Sequence, residues 1–363
     1  MQSKEHHGQA RAGRGPIEPA TLVALLRRRA EQRAAATAYT FLRGEAGEAR
    51  SISYGELDRG ARALAARLRG VAGAVAGERA LVLVPPGLDY IVAFFGCLYA
   101  GLVAVPVPPP QRARALPRLL AIVRDCRPLL ALTTEGTAAV VRDAARAPEL
   151  AALGALPWVV LGEASPGAAD GWAPPPVTAD DVAFFQYTSG STGAPKGVAL
   201  THGNLLHNQG LIQHAFGHTE ETVMVSWLPP YHDMGLIGTI LQPLYLGVPC
   251  VQMAPEDFLA SPLRWLSAIS RYRGTTSGGP NFAYELCVRE TTPEQRARLD
   301  LSSWAVAFNG AEPVRASTLA RFAAAFADSG FRPSAFYPCY GLAEATLFVS
   351  GGLPEAAPEV THV

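Results

Sequence analysis

The residue types most able to do chemistry lie in one short run, residues 188–197, which reads TSGSTGAPKG. The run holds four hydroxyl side chains, three glycines and one lysine, and it follows the hydrophobic stretch Phe184–Tyr187. Glycines let backbone N–H groups turn toward an anion, the hydroxyls add donors, and Lys196 adds positive charge. We therefore predict a loop that holds a polyphosphate. A flexible Ser/Gly linker is the alternative, but strand-like residues lie on both sides of the run.

Other loops and triads fit this region poorly. Pro195 stands five residues after Gly190, where a Walker A loop requires glycine. The pattern G-x-G-x-x-G is missing too, which weakens a dinucleotide-binding interpretation. A serine hydrolase is disfavoured because G-x-S-x-G is absent around Ser189 and Ser191. His232 and Asp233 are adjacent, so they do not orient one another as members of a catalytic triad would.

Composition excludes several classes of protein. Among 363 residues, 31 Lys and Arg balance 31 Asp and Glu, which disfavours nucleic-acid binding and polybasic membrane binding. Hydrophobic residues make up 49%, too many for a largely disordered chain. The five cysteines are scattered without C-x-x-C, which disfavours disulfide scaffolds and zinc modules. Buried thiols in a reducing cytoplasm are the expected alternative.

Two uncharged runs, Tyr90–Gln111 and Met234–Pro255, are long enough to cross a bilayer. Both are interrupted by glycine and proline, so each instead indicates a helix, a turn and a short buried strand. Both also contain the pattern L-Y-x-G-x-x-x-V. Its glycines, Gly101 and Gly247, are expected to end a helix in left-handed geometry before a strand.

The elements that must position the loop alternate between helix and strand patterns. Pro19–Arg33 is predicted to be an amphipathic helix. A hairpin is predicted from Ala38–Leu42 and Ala49–Ser53. Ser53 and Glu56 form a capping box that opens a helix whose apolar stripe is Leu57, Ala61, Leu64, Ala65 and Leu68. Further strands are predicted at Ala80–Val84, Val103–Val107, Leu129–Thr133, Trp158–Leu161, Val182–Tyr187, Val223–Trp227, Pro249–Gln252, Ala305–Phe308 and Ser334–Tyr337.

This alternation predicts an α/β fold with mostly parallel, helix-flanked sheets. We expect a disordered tail over residues 1–18, a first α/β subdomain over 19–178, and a second over 179–363. The second subdomain contains the phosphate loop. The boundary is placed after the Pro- and Gly-rich stretch Ala164–Thr178.

The motif TSGSTGAPKG resembles the signature of the adenylate-forming superfamily, which includes acyl-CoA synthetases, firefly luciferase and nonribosomal peptide adenylation domains. Four further segments resemble its fatty acyl-AMP ligase branch and lie in the expected order within Pro19–Gly352. They are residues 227–238 (WLPPYHDMGLIG), 277–287 (SGGPNFAYELC), 308–314 (FNGAEPV) and 340–346 (YGLAEAT). The resemblance implies that the two sheet subdomains stack as in the large domain of that superfamily.

The resemblance also implies an activity. The carboxylate of a medium- or long-chain fatty acid attacks the α-phosphorus of ATP, pyrophosphate leaves, and acyl-AMP remains. The acyl group then passes to the phosphopantetheine arm of an acyl carrier protein in polyketide or lipopeptide assembly. A fatty acyl-CoA synthetase is the nearest alternative, with CoA as acceptor. An inactive fragment that binds nucleotide or serves as a scaffold is an alternative from another class.

Roles for individual residues follow from the same resemblance. Residues expected to hold the β- and γ-phosphates are Thr188, Ser189, Gly190, Ser191, Thr192, Gly193 and Lys196. Those expected at the adenine are Asn309, Gly310, Ala311, Glu312, Tyr340 and Gly341. The remaining catalytic candidates are His232 near the acyl carboxylate, Glu344 as a Mg²⁺ ligand and Thr346 near the α-phosphate. Candidates for the acyl groove are Trp227, Met234, Ile240, Ser277, Gly278 and Phe282.

The family continues beyond this motif set with a β-rich subdomain and a small domain that carries a catalytic lysine. Here no TGD motif follows Thr346 and no lysine follows Lys196. We therefore expect these residues to be the larger part of an N-terminal domain that adenylates feebly by itself.

Overall fold

The computed structural model describes residues 19–44, 48–71, 75–110, 115–145, 147, 150–162, 167, 169–188, 195–354 and 356–358. The predicted tail (1–18) and residues 189–194 of the predicted phosphate loop lie outside these ranges. The predicted linker is described in part, and its Trp172 stacks on Tyr99 with ring centroids 4.8 Å apart.

Strands run through the whole described part of the chain. In chain order they are β1 (Thr37–Arg43), β2 (Glu48–Ser53), β3 (Arg79–Leu83), β4 (Val103–Pro106), β5 (Leu130–Thr133), β6 (Trp158–Val160), β7 (Val182–Thr188), β8 (Lys196–Thr201), β9 (Met224–Ser226), β10 (Cys250–Met253), β11 (Thr276–Gly279), β12 (Val306–Asn309), β13 (Phe336–Gly341) and β14 (Phe348–Gly351).

Helices connect and cover these strands. They are α1 (Leu22–Arg33), α2 (Tyr54–Arg69), α3 (Leu88–Ala100), α4 (Leu116–Cys126), α5 (Glu135–Ala144), α6 (Ala151–Gly154), α7 (His202–Ala215), α8 (Asp233–Leu236), α9 (Gln242–Leu246), α10 (Pro255–Ala260), α11 (Leu263–Tyr272), α12 (Asn281–Arg289), α13 (Pro293–Arg296) and α14 (Ala316–Ala325). A five-residue π-helix, Ile237–Leu241, joins α8 to α9.

The strands form two mixed sheets. One has the order β6-β5-β3-β4-β7-β8, and the other the order β14-β13-β12-β11-β9-β10-β1-β2. Only the hairpin pairs β1–β2, β7–β8 and β13–β14 are antiparallel among the described strands. The predicted α/β class with mostly parallel, helix-flanked sheets is therefore confirmed.

The two uncharged runs fold as the glycine and proline positions predict. Gly101 ends α3 with φ 82° before β4, and Gly247 ends α9 with φ 78° before β10. Within the described ranges, no helix combines the length and apolar character needed to cross a bilayer.

Local signals near the N-terminus also hold. The Ser53 hydroxyl accepts from the Glu56 backbone N–H, and the Glu56 carboxylate accepts from the Ser53 N–H, so the capping box of α2 is complete. The predicted stripe of α2 is buried in the main hydrophobic core. The stripe thereby fixes α2 against α3.

Sheet membership does not divide at residue 178. The hairpin β1–β2 joins the sheet of β9–β14 through parallel pairing of β1 with β10. The hairpin β7–β8 joins the other sheet beside β4. Sequence patterns also left out β11 and β14. Glycine has low β-propensity, so Thr276–Gly279 does not look like a strand although it is a buried one.

Candidate functional site

A cavity of about 600 Å³ lies between α7 and the sheet of β9–β14. It opens at the carboxyl ends of β12 and β13, the usual ligand position in open α/β sheets. Its lining residues are Thr188, Ile212, Phe216, His218, Met224, His232, Asp233, Met234, Gly238, Phe308, Gly310, Ala311, Cys339, Tyr340, Gly341, Leu342, Ala343, Glu344, Leu347 and Phe348. The predicted phosphate, carboxylate, adenine and metal positions thus each contribute a residue to one cavity.

The loop before α8 presents His232 to this cavity. The Tyr90 hydroxyl donates to the Pro230 carbonyl at 2.6 Å, and the Gln186 side-chain amide donates to the Tyr231 carbonyl at 3.1 Å. Gln186 belongs to β7, which leads into the predicted phosphate loop. These two bonds tie the loop of His232 to α3 and to the sheet that contains β7.

The electrostatics of His232 are set by its neighbour Asp233, so the expectation that these adjacent residues do not orient one another is wrong. Its Nδ1 lies 2.7 Å from Oδ1 of Asp233, and the same oxygen accepts from the Met234 backbone N–H at 2.6 Å. The hydrogen bond with Asp233 raises the pKa of His232, and partial burial opposes this shift. The Met234 backbone N–H also lies 3.3 Å from Nδ1, and when the ring is protonated Nδ1–H donates to Asp233, which leaves Nε2–H as the donor for a ligand. A protonated ring there donates to a carboxylate or phosphate oxygen.

The predicted adenine side is built from close backbone contacts. A Cβ at Gly310 would lie 2.8 Å from the Cys339 carbonyl oxygen. Ala311 has φ 67°, a strained value for a residue other than glycine. Tyr340 is 61% exposed, so its ring is available as one wall for a planar base.

Two other residues predicted at the adenine do not line the cavity. Asn309 is fully buried, and neither its amide nitrogen nor its amide oxygen has a hydrogen-bond partner. The exposed Glu312 accepts from the Phe282 backbone N–H at 2.7 Å, near the start of α12.

The segment after β13 carries both remaining catalytic candidates. Glu344 is exposed at the cavity rim, in a short 3-10 turn. Thr346 is buried, has φ 74°, and does not line the cavity. A lone exposed carboxylate suits Mg²⁺, which usually keeps several waters and binds phosphates together with one or two carboxylates. In the described part of the chain, no three His, Cys, Asp or Glu residues cluster as a metal site.

The ends of the predicted phosphate loop face one another. Thr188 pairs with Lys196 at the open end of the hairpin β7–β8. Lys196 is exposed, and Thr188 lines the cavity. The other predicted members, Ser189, Gly190, Ser191, Thr192 and Gly193, lie outside the described residues.

The candidates for the acyl groove occupy different places. Met234 lines the cavity, whereas Trp227 stacks on Phe258 in the core with ring centroids 3.9 Å apart. Ile240 is core, and the Ser277 hydroxyl accepts from the Trp265 indole N–H at 2.7 Å. Neither Gly278 nor the partly exposed Phe282 lines the cavity.

Sequence reasoning missed the apolar half of the cavity. Its walls include Ile212, Phe216, Met224, Phe308 and Phe348. The i, i+4 spacing of Ile212 and Phe216 was a usable signal, because such residues share a helix face. The other walls come from separate strands, so only the fold brings them together.

Comparison with known proteins shows the family of this chain. The sequence model of the family described as "AMP-binding enzyme" matches residues 26–362. A medium-chain fatty acid–acyl carrier protein ligase from Moorena producens is 48% identical over 337 residues, covering 92% of this chain and 56% of the relative. A long-chain fatty acid–AMP ligase from Mycobacterium marinum is 36% identical, covering 96% of this chain and 60% of the relative.

Solved structures give the same result. The fatty acyl-adenylate ligase from L. pneumophila, solved in complex with acyl adenylate and pyrophosphate, superposes with a TM-score of 0.87 at 44% identity. The match covers 94% of this chain and 58% of that structure, so the chain spans a little over half of the proteins it matches. By its sequence match and its fold, the chain belongs to the family of AMP-binding enzymes.

Proposed function

We propose that this chain forms the nucleotide and acyl site of a fatty acyl-AMP ligase acting on a medium-chain acid. One observation carries the proposal: the same cavity has an apolar half and a polar half. Ile212, Phe216 and Met224 line the apolar half, while His232, Tyr340 and Glu344 line the polar half. A fatty acyl adenylate has the same division between an alkyl chain and a nucleotide.

The proposed reaction joins a carboxylate to AMP. A carboxylate oxygen attacks the α-phosphorus of ATP, the bond from that phosphorus to the β-bridging oxygen breaks, and pyrophosphate leaves with the electron pair. An anion must approach a polyanion, so the site must supply cations and aligned donors. Protonated His232 would donate through Nε2 to the acyl carboxylate, and its raised pKa keeps it protonated to higher pH.

The other roles proposed from the motifs are retained. Thr188, Lys196 and the loop between them would hold the β- and γ-phosphates. Gly310, Ala311, Tyr340 and Gly341 would surround the adenine, and Asn309 and Glu312 flank them outside the cavity lining. Met234 is the acyl candidate that would border the chain, and Thr346 would support the α-phosphate region from behind the cavity lining. Glu344 would hold Mg²⁺, which when bound neutralises phosphate charge.

The acceptor and location belong to the same proposal. The M. producens relative is a ligase for an acyl carrier protein, which favours that acceptor over CoA. A cytoplasmic location is supported by the cysteines, since all five are free and four of them are buried.

The test measures both halves of the cavity separately. We would titrate the chain calorimetrically with AMP and with a non-hydrolysable dodecanoyl-adenylate analogue. Tyr340→Ala should weaken both ligands, whereas Ile212→Trp should weaken only the dodecanoyl analogue, because it fills the apolar half. The exposed His214→Ala on α7 is the control and should change neither.

Lys196→Ala separates the phosphate loop from the rest of the site. The analogue lacks the β- and γ-phosphates, so this variant should bind it normally and bind ATP more weakly. Absence of saturable binding by the unaltered chain would overturn the proposal. A second assay, on the complete enzyme, should show transfer of the acyl group to a phosphopantetheinylated carrier protein and little transfer to CoA.

A further inference from the structure

We propose that His218 is the wall that ends the acyl half of the cavity and sets the longest chain the enzyme accepts. This inference rests on the proposed function, since it concerns the same cavity. His218 lines the cavity but lies outside every motif that the sequence analysis used. It lies three residues after the end of α7 and is only 7% exposed.

The position of His218 along the cavity follows from the strands. Gly310 and Ala311 lie beyond the carboxyl end of β12, where the adenine is proposed. Met224 is the first residue of β9 and pairs with Thr276, the first residue of β11. Because these strands are parallel, Met224 and Thr276 lie at the opposite, amino end of the sheet. His218 bonds to Thr276, so the imidazole belongs to that far end.

Two protein hydrogen bonds fix the imidazole. Nε2 lies 3.2 Å from the Thr276 hydroxyl, and Nδ1 lies 3.3 Å from the side-chain nitrogen of Gln242. The amide donates to Nδ1, so Nε2–H donates to Thr276. Burial lowers the pKa of His218 to about 4, which keeps the ring neutral at physiological pH.

Because both nitrogens have protein partners, the ring presents mainly carbon atoms to the cavity. It has little capacity left for hydrogen bonds to a ligand. It packs edge-on against Phe216, with ring centroids 5.3 Å apart. A ring held by two hydrogen bonds and an aromatic neighbour does not swing aside easily. The His218 ring therefore forms a rigid wall at this end of the cavity.

Strand β12 gives a length scale for the alkyl chain. The four residues of β12 span about 13 Å at roughly 3.3 Å per residue. An extended alkyl chain advances about 1.2 Å per bond, by comparison with the three backbone bonds of an extended residue. A chain of about ten carbons therefore has about the length of β12, which runs from the end of the sheet that holds His218 to the proposed adenine end.

The test is a chain-length series of stable acyl-sulfamoyl adenosines, from hexanoyl to hexadecanoyl, titrated into the chain. Each buried methylene should improve affinity by about fourfold until the chain reaches the wall, and not beyond it. In His218→Ala this break point should move about two or three methylenes longer, given the depth of the lost ring.

Two further variants show whether the break point depends on the volume of the His218 ring, on its polarity or on misfolding of the variant. His218→Phe keeps a ring without its hydrogen bonds and should leave the break point unchanged. Met224→Ala removes apolar bulk at the same end without disturbing a polar group. It should also move the break point to longer chains. The exposed His214→Ala is the control for all measurements.

The outcomes are distinct. An unchanged break point in His218→Ala and in Met224→Ala would overturn the inference while leaving the proposed function intact. A preference for ω-hydroxylated chains that disappears in His218→Phe would also overturn it. His218 would then bind a polar chain end instead of limiting the chain length. If the unaltered chain binds no member of the series, the proposed function fails and the inference fails with it.

Discussion

The carbonyl oxygen of Pro229 occupies the space in which residue 235 would carry a Cβ, so Gly235 is the residue that lets this loop close on itself. The loop between them contains His232 and is held from outside by Tyr90 and Gln186. The segment W-L-P-P-Y-H-D-M-G can therefore adopt this loop only with glycine at its last position. The glycine matters for contact with the backbone rather than for an unusual φ.

Gly235→Ala should therefore damage both stability and ligand binding. The obstructing atom is backbone and does not move aside cheaply, so we expect a loss of about 1–3 kcal/mol in the free energy of unfolding. Displacement of His232 should weaken binding of the acyl-adenylate analogue as well. Urea denaturation and calorimetry measure the two effects.

Gly136→Ala is the matched control, because a Cβ at Gly136 meets nothing within 4 Å. Gly136 lies in the first turn of α5, where alanine is favourable, so this variant should be neutral or slightly stabilising. A Gly235→Ala variant as stable as Gly136→Ala would contradict the prediction.

The pair His232–Asp233 should give a measurable pKa change. Asp233→Asn removes the carboxylate that raises the pKa of His232, so that pKa should fall when followed by NMR titration of the imidazole. The exposed Asp180→Asn is the control and should leave the pKa of His232 unchanged.

The sign for stability follows from the same shift. The folded pKa of His232 lies above its unfolded value of about 6.5. Its contribution to stability is complete below that value and is lost as the pH rises through the folded pKa. In Asp233→Asn, the decrease in stability at alkaline pH that His232 causes should disappear. The same decrease in the variant and in the parent would contradict this prediction.

Acid should destabilise the fold through buried histidines. His202 Nδ1 accepts from the Leu22 backbone N–H at 3.2 Å, at the start of α1, and burial lowers the pKa of His202 to about 4. The charge of the nearby Asp181 raises the pKa of His202, but by less than burial lowers it. The contribution of His202 to stability is present above about pH 6.5 and is lost as the pH falls through about 4.

His202→Gln tests this prediction, because the amide oxygen can accept from Leu22 without titrating. Between about pH 6.5 and 4 the variant should lose less stability than the parent, by up to about 1.4 kcal/mol per pH unit. His218 also has a lowered pKa, so part of the acid dependence should persist. The exposed His207→Gln should match the parent. Equal acid slopes in His202→Gln and the parent would refute the assignment.

Tyr187 supports the base of the predicted phosphate loop. Its hydroxyl donates to Asp125 on α4, and a Cβ at Gly197 would lie 2.9 Å from its ring. Tyr187→Phe should therefore reduce the free energy of unfolding by about 0.5–1.5 kcal/mol, the usual value of one hydrogen bond. Thermal and urea unfolding would measure the loss. The partly buried Tyr245→Phe on α9 is the control, and a smaller loss at Tyr187 than at Tyr245 would contradict the role.

Local chemistry explains what could be predicted from sequence. The capping box at Ser53 and Glu56, and the left-handed glycines at 101 and 247, depend on residues close in the chain, and each was found where expected. The polar half of the cavity was also within reach, because its residues sit in motifs with recognisable spacing. His232, Tyr340 and Glu344 belong to that half.

The apolar half depends on tertiary packing. Phe216, Met224 and Phe308 come from a helix and two strands, and nothing local marks them as neighbours. Trp227 illustrates the converse problem. A large aromatic residue beside a motif looks like a pocket wall, yet its ring is stacked in the core.

The exchange of strands between the sheets sets a constraint on synthesis. The Tyr39 hydroxyl of β1 donates to the carbonyl of Ile240, a residue 201 positions further along the chain, and β1 pairs with β10 beyond it. At about 5–20 residues per second, some 10–40 s pass on the ribosome before that partner exists. During this interval the edge of β1 that β10 later covers is open to pairing with other chains. The sheet of β9–β14 therefore cannot be completed in the order of translation, and the nascent chain must keep the hairpin β1–β2 from aggregating until β10 has been made.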